Sequence, residues 1–141
     1  MFPNVTLVIL SIFLVACNDK DELTQIDCSL TICTEVFVTI TVSVKNASGE
    51  AIRLDSYEVI DVDSGKNLTD DFNEEENQYL KEQGLYPILS DTYRVKYQNS
   101  TATVTFKGYI SNEEVINEEF VVSADCCHVS LISGNTEIIL D

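Results

Sequence analysis

The chain has 141 residues, of which 24 are acidic and only 8 are basic, so its formal net charge is −16. This balance argues against a nucleic-acid partner, because binding phosphate groups depends on Lys and Arg. The length fits one domain with its own hydrophobic core, and no pattern of residues indicates a cofactor.

The chain opens with an uncharged apolar run over residues 5–16, which is too short to span a bilayer and has the length of a signal-peptide core. The run ends in Leu-Val-Ala-Cys at residues 14–17, which resembles the lipobox of bacterial lipoproteins. The resemblance implies cleavage before Cys17 and acylation of its thiol, with residues 1–16 as the signal peptide. Residues 1–4 depart from the pattern because they lack Lys or Arg. An ordinary secretory signal or a retained anchor is the alternative.

A polar tether over residues 17–27 follows the predicted lipidation site. Within it, Lys20-Asp21-Glu22 is similar to the export signal that places lipoproteins of Bacteroidota on the cell surface. The resemblance implies a protein held in the bacterial outer membrane by its lipid alone, facing the periplasm or the outside. The alternative for these three residues is a solvated charged linker.

Four further cysteines, Cys28, Cys33, Cys126 and Cys127, predict two disulfides in an exported protein. Cys126 and Cys127 are adjacent, and consecutive residues of a strand point to opposite faces. We therefore expect each of them to bond a different cysteine of the first pair, with the two possible pairings left open. A zinc site formed by these cysteines and His128 is the rival interpretation.

Alternating apolar and polar residues predict an all-β domain over residues 28–141. The clearest strand is 35–45, where Val36, Val38, Ile40, Val42 and Val44 share one face. Turns with Gly follow at 46–50 and 61–67. The predicted fold is an antiparallel Greek-key-type β-sandwich of about seven strands. The strands are expected near residues 35–45, 54–61, 93–97, 102–108, 114–122, 125–132 and 137–140.

One short surface helix is predicted between the second and third of these strands. Phe72, Tyr79 and Leu80 have helical spacing, and Asp70 or Asp71 could cap the first turn. Gly84 is expected to end the helix.

The segments 42–52 and 57–65 resemble the opening of carboxypeptidase regulatory-like, or transthyretin-like, sandwich modules. In both, a strand, an Asx/Gly turn, a small apolar pair, a second strand and a Gly turn follow one another. The chain departs from that pattern beyond Leu68. The chain also looks like small lipoproteins of Bacteroidota, a resemblance that implies no activity.

Two groups of residues are candidate sites for chemistry. His128 beside Cys127 could form a nucleophilic pair only if the thiol were free, so a histidine on the outer face beside a disulfide is expected instead. Asp61, Asp63 and Asn67 could supply oxygen ligands to calcium, although Gly65 stands where an EF-hand-like loop needs an acidic residue.

Acidic residues in 70–83 and 113–119 could form one surface, to which tyrosines could add aromatic contacts for a protein or glycan partner. The tyrosines concerned are Tyr79, Tyr86, Tyr93, Tyr97 and Tyr109. Half-buried sheet tyrosines and solvated charges are the alternative.

The sequence therefore favours a non-enzymatic, lipid-anchored binding or structural accessory. A small inhibitor or ligand-binding module with an acidic loop, and an envelope enzyme or metal protein using Cys126, Cys127 and His128, are the alternatives.

Overall fold

A computed structural model describes residues 26–70 and 73–141. The predicted leader, Cys17, the export signal and two residues of the helix prediction, Asp71 and Phe72, lie outside the described residues. In the part that is described, no helix has the length and apolar character needed to cross a membrane.

Within these described ranges, seven strands form two sheets, as an all-β fold requires, with one α-helix beside them. The first sheet has the order β3-β1-β7, and the second has the order β2-β4-β5-β6. The elements are β1 (Thr39–Asn46), β2 (Ser56–Asp61), α1 (Glu74–Glu82), β3 (Leu85–Ser90), β4 (Thr101–Ile110), β5 (Glu113–Ala124), β6 (Val129–Ser133) and β7 (Glu137–Leu140), with short 3-10 turns at Cys28–Leu30 and Asp91–Tyr93.

One hydrophobic core joins the two sheets. It includes Val42 and Val44 from the first sheet and Phe106 and Phe120 from the second, all fully buried. Tyr86 packs in this core against Tyr57 and Phe106. Its hydroxyl accepts a hydrogen bond from the Leu54 amide at 2.7 Å and donates one to the Ile52 carbonyl at 2.9 Å. The buried tyrosine thus fixes the link between β1 and β2 while leaving no polar atom unpaired.

The first strand is shorter than predicted. β1 starts at Thr39, and only Ile40, Val42 and Val44 of the predicted apolar face are buried. Val36 is exposed and Val38 is half-buried. The strand predicted over 35–38 is therefore wrong. In the described residues that stretch has no strand partner, and the Val38 amide donates to the Asp91 carboxylate instead.

The sequence did not predict β3, and it predicted a strand over 93–97 that the structure does not contain. β3 has a nearly continuous buried run instead of alternation, and Pro87 lies next to a register shift opposite β1. An edge strand with a bulge tolerates proline, whose nitrogen cannot donate. Conversely, the predicted strand over 93–97 does not form, because Tyr93 ends a 3-10 helix and residues 94–97 form turns after it. The pairing is also not wholly antiparallel, since β7 runs parallel to β1.

The helix is confirmed on the surface, where none of its residues is buried. Its cap is Asn73, whose side chain accepts from the Glu76 amide at 2.9 Å, and not Asp70 or Asp71. The three glutamates of the first turn suit the positive end of the helix dipole. Gly84 follows the helix with a φ of +64°, as the sequence predicts.

Gly84 also allows a close approach to β1, and this gives a first prediction. A Cβ there would lie 2.6 Å from the Val44 carbonyl oxygen, whereas one at Gly49, also at positive φ, would meet nothing within 4 Å. We expect Gly84→Ala to destabilise the protein by about 2–3 kcal/mol and Gly49→Ala by about 1 kcal/mol. Urea unfolding of both variants measures the difference. Equal losses would show that the approach to β1 has no energetic effect.

Candidate functional site

The described chain begins with a segment that is tied to the rest of the protein by two disulfides. Cys28 is bonded to Cys126, and Cys33 to Cys127, so each adjacent cysteine takes a different partner. We call residues 26–38 the stapled segment. It has only one short 3-10 turn and no buried residue. The pairing that the sequence leaves open is thereby assigned.

The expected reason for this pairing was wrong. Cys126 and Cys127 lie in a turn before β6 and not on a strand. Asp125 makes the turn, because its Oδ1 accepts from the Cys127 amide at 2.6 Å and from the His128 amide at 2.8 Å. These two bonds hold the pKa of Asp125 below its usual value. The turn, and not the alternation of a strand, directs the two sulfurs to different partners.

Asp91 connects the stapled segment to β6. Its Oδ2 accepts from the Val38 amide at 2.8 Å and from His128 Nδ1 at 2.8 Å, and its Oδ1 accepts from the Val129 amide at 2.8 Å. Burial alone would raise the pKa of Asp91, but the hydrogen bonds from His128, Val38 and Val129 outweigh it and lower the pKa. The carboxylate therefore stays ionised while it joins three parts of the chain.

His128 continues this connection to Thr34. Since an ionised carboxylate only accepts, His128 Nδ1 donates to Asp91, and Nε2 on the other side of the ring lies 3.2 Å from Thr34 Oγ1, at hydrogen-bond distance. The side chain of His128 is 26% exposed. The histidine thus lies near the disulfides, as expected, but it bonds internally and does not project from an outer face.

The Thr34 hydroxyl, the His128 imidazole and the Asp91 carboxylate lie in the order hydroxyl, imidazole, carboxylate, with each group within hydrogen-bond distance of the next. Nucleophilic hydrolases use the same order. Such an enzyme also needs donors aimed at the developing oxyanion. The amides of Val38 and Val129 donate to Asp91 itself and are not free for that task. These contacts hold the stapled segment against the rest of the domain, and we call Thr34, His128 and Asp91 the latch.

A second polar cluster lies where the calcium site is predicted. Asp61 is only 3% exposed, and its Oδ2 accepts from Lys96 Nζ at 2.6 Å and from the Tyr97 hydroxyl at 2.5 Å. Its Oδ1 accepts from the amide and hydroxyl of Ser64, both at 2.8 Å. Burial alone would raise the pKa of Asp61, but these bonds hold it well below its usual range.

This use of Asp61 disfavours calcium at the turn. Asp63 is exposed, and Asn67 accepts from the Thr69 amide through its side chain. Among residues 26–70 and 73–141, no group of three or more His, Cys, Asp or Glu side chains is placed to hold a metal ion. Calcium binding stays a prediction. Zinc is disfavoured by a positive observation, because all four predicted sulfur ligands are in disulfides.

The predicted tyrosine surface is not assembled. Tyr86 and Tyr97 are buried, Tyr93 and Tyr109 are half-buried, and Tyr79 is exposed on α1. Burial raises the pKa of Tyr97 to about 12, reinforced by its hydrogen bond to Asp61. Most of these tyrosines therefore stabilise the fold, as the alternative interpretation has it.

The predicted acidic segments come to one end of the molecule only in part, because Glu113 and Glu114 lie at the β4–β5 hairpin whereas Glu118 and Glu119 lie midway along β5. β2 starts beside the β4–β5 hairpin, and Lys81 of α1 donates to the Asp55 carbonyl at 3.0 Å, next to that hairpin. The disulfides and the latch lie at the other end, where β5 finishes and β6 begins. We call these the acidic end and the staple end.

Sequence reasoning missed Thr34, Asp91 and Lys96. A weak signal existed for Asp91, because Ser90-Asp91-Thr92 is a helix-start pattern, and Ser90 does cap the 3-10 turn there. The partners of these residues lie 35 or more positions away along the chain. No local pattern reports such contacts.

Comparison with protein-family models, with curated proteins and with solved structures finds no match. The fold and the site therefore define the class on their own: a disulfide-stabilised all-β domain of two sheets.

The disulfide pairing can be tested with two matched variants. We expect Cys28→Ser to free the thiol of Cys126, and Cys33→Ser to free that of Cys127. Alkylation of the unreduced, acid-quenched protein, followed by fragment mass spectrometry, locates the labelled cysteine. Labels at the reversed positions would show the other pairing, and labels on all the remaining cysteines would show that no disulfide forms.

The Asp61 cluster predicts a pH dependence of stability. A carboxyl with a lowered folded-state pKa stabilises the protein fully above the unfolded value of about 3.9, and this contribution disappears as the pH falls. We expect Asp61→Asn to lower the free energy of unfolding by about 2 kcal/mol at neutral pH, because it removes charged hydrogen bonds. Below about pH 4, where the carboxyl of the unfolded chain begins to protonate while that of the folded protein stays ionised, the loss should shrink.

Asp63→Asn is the matched control, because it changes an exposed neighbour on the same turn. Its free energy of unfolding should stay within about 0.5 kcal/mol of the parent protein. Urea unfolding from pH 3 to pH 8 provides the measurement. A difference between the two variants that does not change with pH would contradict the role of ionised Asp61.

Proposed function

We propose that this protein is a lipid-anchored component of the bacterial envelope, whose disulfide-stapled β-sandwich serves as a non-enzymatic binding or structural accessory. The observation that carries the proposal is the pair of disulfides on the stapled segment. Such bonds persist in oxidising compartments outside the cytoplasm. They fix the chain a short distance after Cys17, the predicted site of acylation.

A Greek-key sandwich of the transthyretin-like kind is the finer fold that we propose. The order of elements over residues 39–65 supports it: β1, a turn with Gly49 at positive φ, Ala51 and Ile52, then β2 and a turn with Gly65 at positive φ. The parallel pair of β1 and β7 is compatible with two sheets whose strands cross from one layer to the other.

The proposed location is the outer membrane, with the domain facing the periplasm or the outside. The similarity of residues 20–22 to the surface-export signal of Bacteroidota lipoproteins supports the outside. Two or three acyl chains on Cys17 would anchor the protein firmly, at about 0.8 kcal/mol per buried methylene.

A small inhibitor or ligand-binding module is the second candidate. One observation favours it, since Glu74, Glu75 and Glu76 of α1 are exposed at the same end as Glu113 and Glu114 of the hairpin. A cationic partner would suit such a surface. The third candidate, an enzyme or metal protein with a Cys/His site, is disfavoured because Cys126 and Cys127 are bonded.

Lipid anchoring is tested by Cys17→Ser beside Thr24→Ser, a change in the same predicted tether that leaves the lipobox pattern intact. In native membranes, we expect the parent and Thr24→Ser to enter the detergent phase and to carry an acylated residue 17 by intact mass. Cys17→Ser should lose both properties. An unmodified residue 17 in the parent protein would overturn the proposal.

A further inference from the structure

The staple end exposes an unusual amount of apolar surface. Leu30 is 90% exposed and Ile32 is 96% exposed, although both lie between residues that the disulfides fix in place. Val95 projects from a neighbouring loop that holds the same segment, because Asn99 Nδ2 donates to the Ile26 carbonyl at 3.1 Å. We call the exposed apolar side chains at this end the apolar rim: Ile26, Leu30, Ile32, Val36, Phe37 and Val95.

The covalent attachment of the segment keeps these apolar side chains exposed. The disulfides and the bond from the Val38 amide to Asp91 fix the segment at three points, so it cannot rotate to bury its apolar side chains in the core. Several large apolar side chains exposed on one segment commonly mark a site of contact with a partner or a membrane.

The short tether between Cys17 and the apolar rim indicates that the rim contacts a membrane. Only eight residues separate Cys17 from Ile26, and the nine residue-to-residue steps span about 30 Å when fully extended. An acylated Cys17 therefore keeps the apolar rim close to the lipid surface, where the local concentration of lipid makes even weak contacts effective.

The distribution of charge also favours an orientation in which the staple end faces the membrane. Glu74–Glu76 and the β4–β5 hairpin lie at the acidic end, away from the rim. Arg94 flanks Val95 at the staple end, Lys96 on the other side is paired with Asp61, and Asp125 and Asp91 accept internal hydrogen bonds there. Asp27 and Glu35 are exposed in the stapled segment, where the Asp27 carboxylate accepts from the Ser29 amide at 2.9 Å. Fewer exposed carboxylates face the lipid phosphates when the staple end is turned to the membrane than when the acidic end is.

We propose that the apolar rim rests in the interface of the membrane that holds acylated Cys17, so that the acidic end points away from the bilayer. This inference rests on the lipid anchor of the proposed function. Side chains such as Leu, Ile and Phe are those that enter the boundary between head groups and acyl chains.

The chain has no tryptophan, which allows a site-specific test. Leu30→Trp places a single fluorophore in the rim, and Tyr79→Trp places a matched one at an exposed position of α1. Each full-length acylated protein is reconstituted into phosphatidylcholine vesicles, with and without bromine on the acyl chains. We expect brominated lipid to quench the rim tryptophan at least twofold and to leave the helix tryptophan unchanged.

A third variant adds Ile32→Glu to Leu30→Trp and should lose the quenching while its thermal unfolding stays cooperative. Flotation with the vesicles reports the anchor separately. Flotation without rim quenching, or with equal quenching at both positions, would overturn the inference and leave the anchor standing. A blue-shifted but unquenched rim tryptophan would overturn it in favour of contact between copies of the chain. Failure to float would remove the anchor and the inference together.

Discussion

The covalent attachment of the stapled segment to one turn is the constraint on which the rest of this structure depends. A segment without strand pairing or buried side chains gains little from the hydrophobic effect, and its conformational entropy opposes order. The two disulfides close loops with sequence separations of 98 and 94 residues. In the chain-entropy model one such loop stabilises the fold by about 4–5 kcal/mol, and the second adds less because the chain is already restrained.

The latch complements the disulfides because it determines orientation where they determine only attachment. Asp91 accepts hydrogen bonds from the Val38 amide of the segment, from the Val129 amide of β6 and from the imidazole of His128, groups that lie 53, 38 and 37 positions away from it. Removing one donor would leave a partly buried charge underbonded, which is more costly than the bond itself is worth. The latch therefore makes one position of the segment preferable to its neighbours.

Local patterns predicted the elements that local forces determine. The alternation over 40–44, the turn with Gly49 and the glycine end of α1 all depend on nearest neighbours, and the structure contains each of them. The failures share a different cause. Residues 35–38 alternate like a strand but have no strand to pair with, and β3 does not alternate because it is buried almost throughout. Tertiary context decided both cases.

The candidate site was predictable in its covalent part alone. An even number of cysteines and the adjacency of Cys126 and Cys127 indicated two bridges to the first pair. The pairing could not follow from sequence, because it depends on the turn made by Asp125. Asp61 was predicted as an oxygen ligand of calcium, which stays a prediction, and in the structure its carboxylate accepts from the ammonium group of Lys96, 35 positions away.

The acidic residues of this chain consequently form two populations with different physical roles. Asp61, Asp91 and Asp125 accept hydrogen bonds inside the structure, and their pKa values are lowered. The glutamates of α1 and most of those at the start of β5 are exposed to solvent. Acid weakens the fold through the first population, whereas the second contributes mainly long-range repulsion that salt screens. Neutralising Glu74–Glu76 should therefore change what the surface attracts without loosening the staple, so binding and stability can be studied separately in this protein.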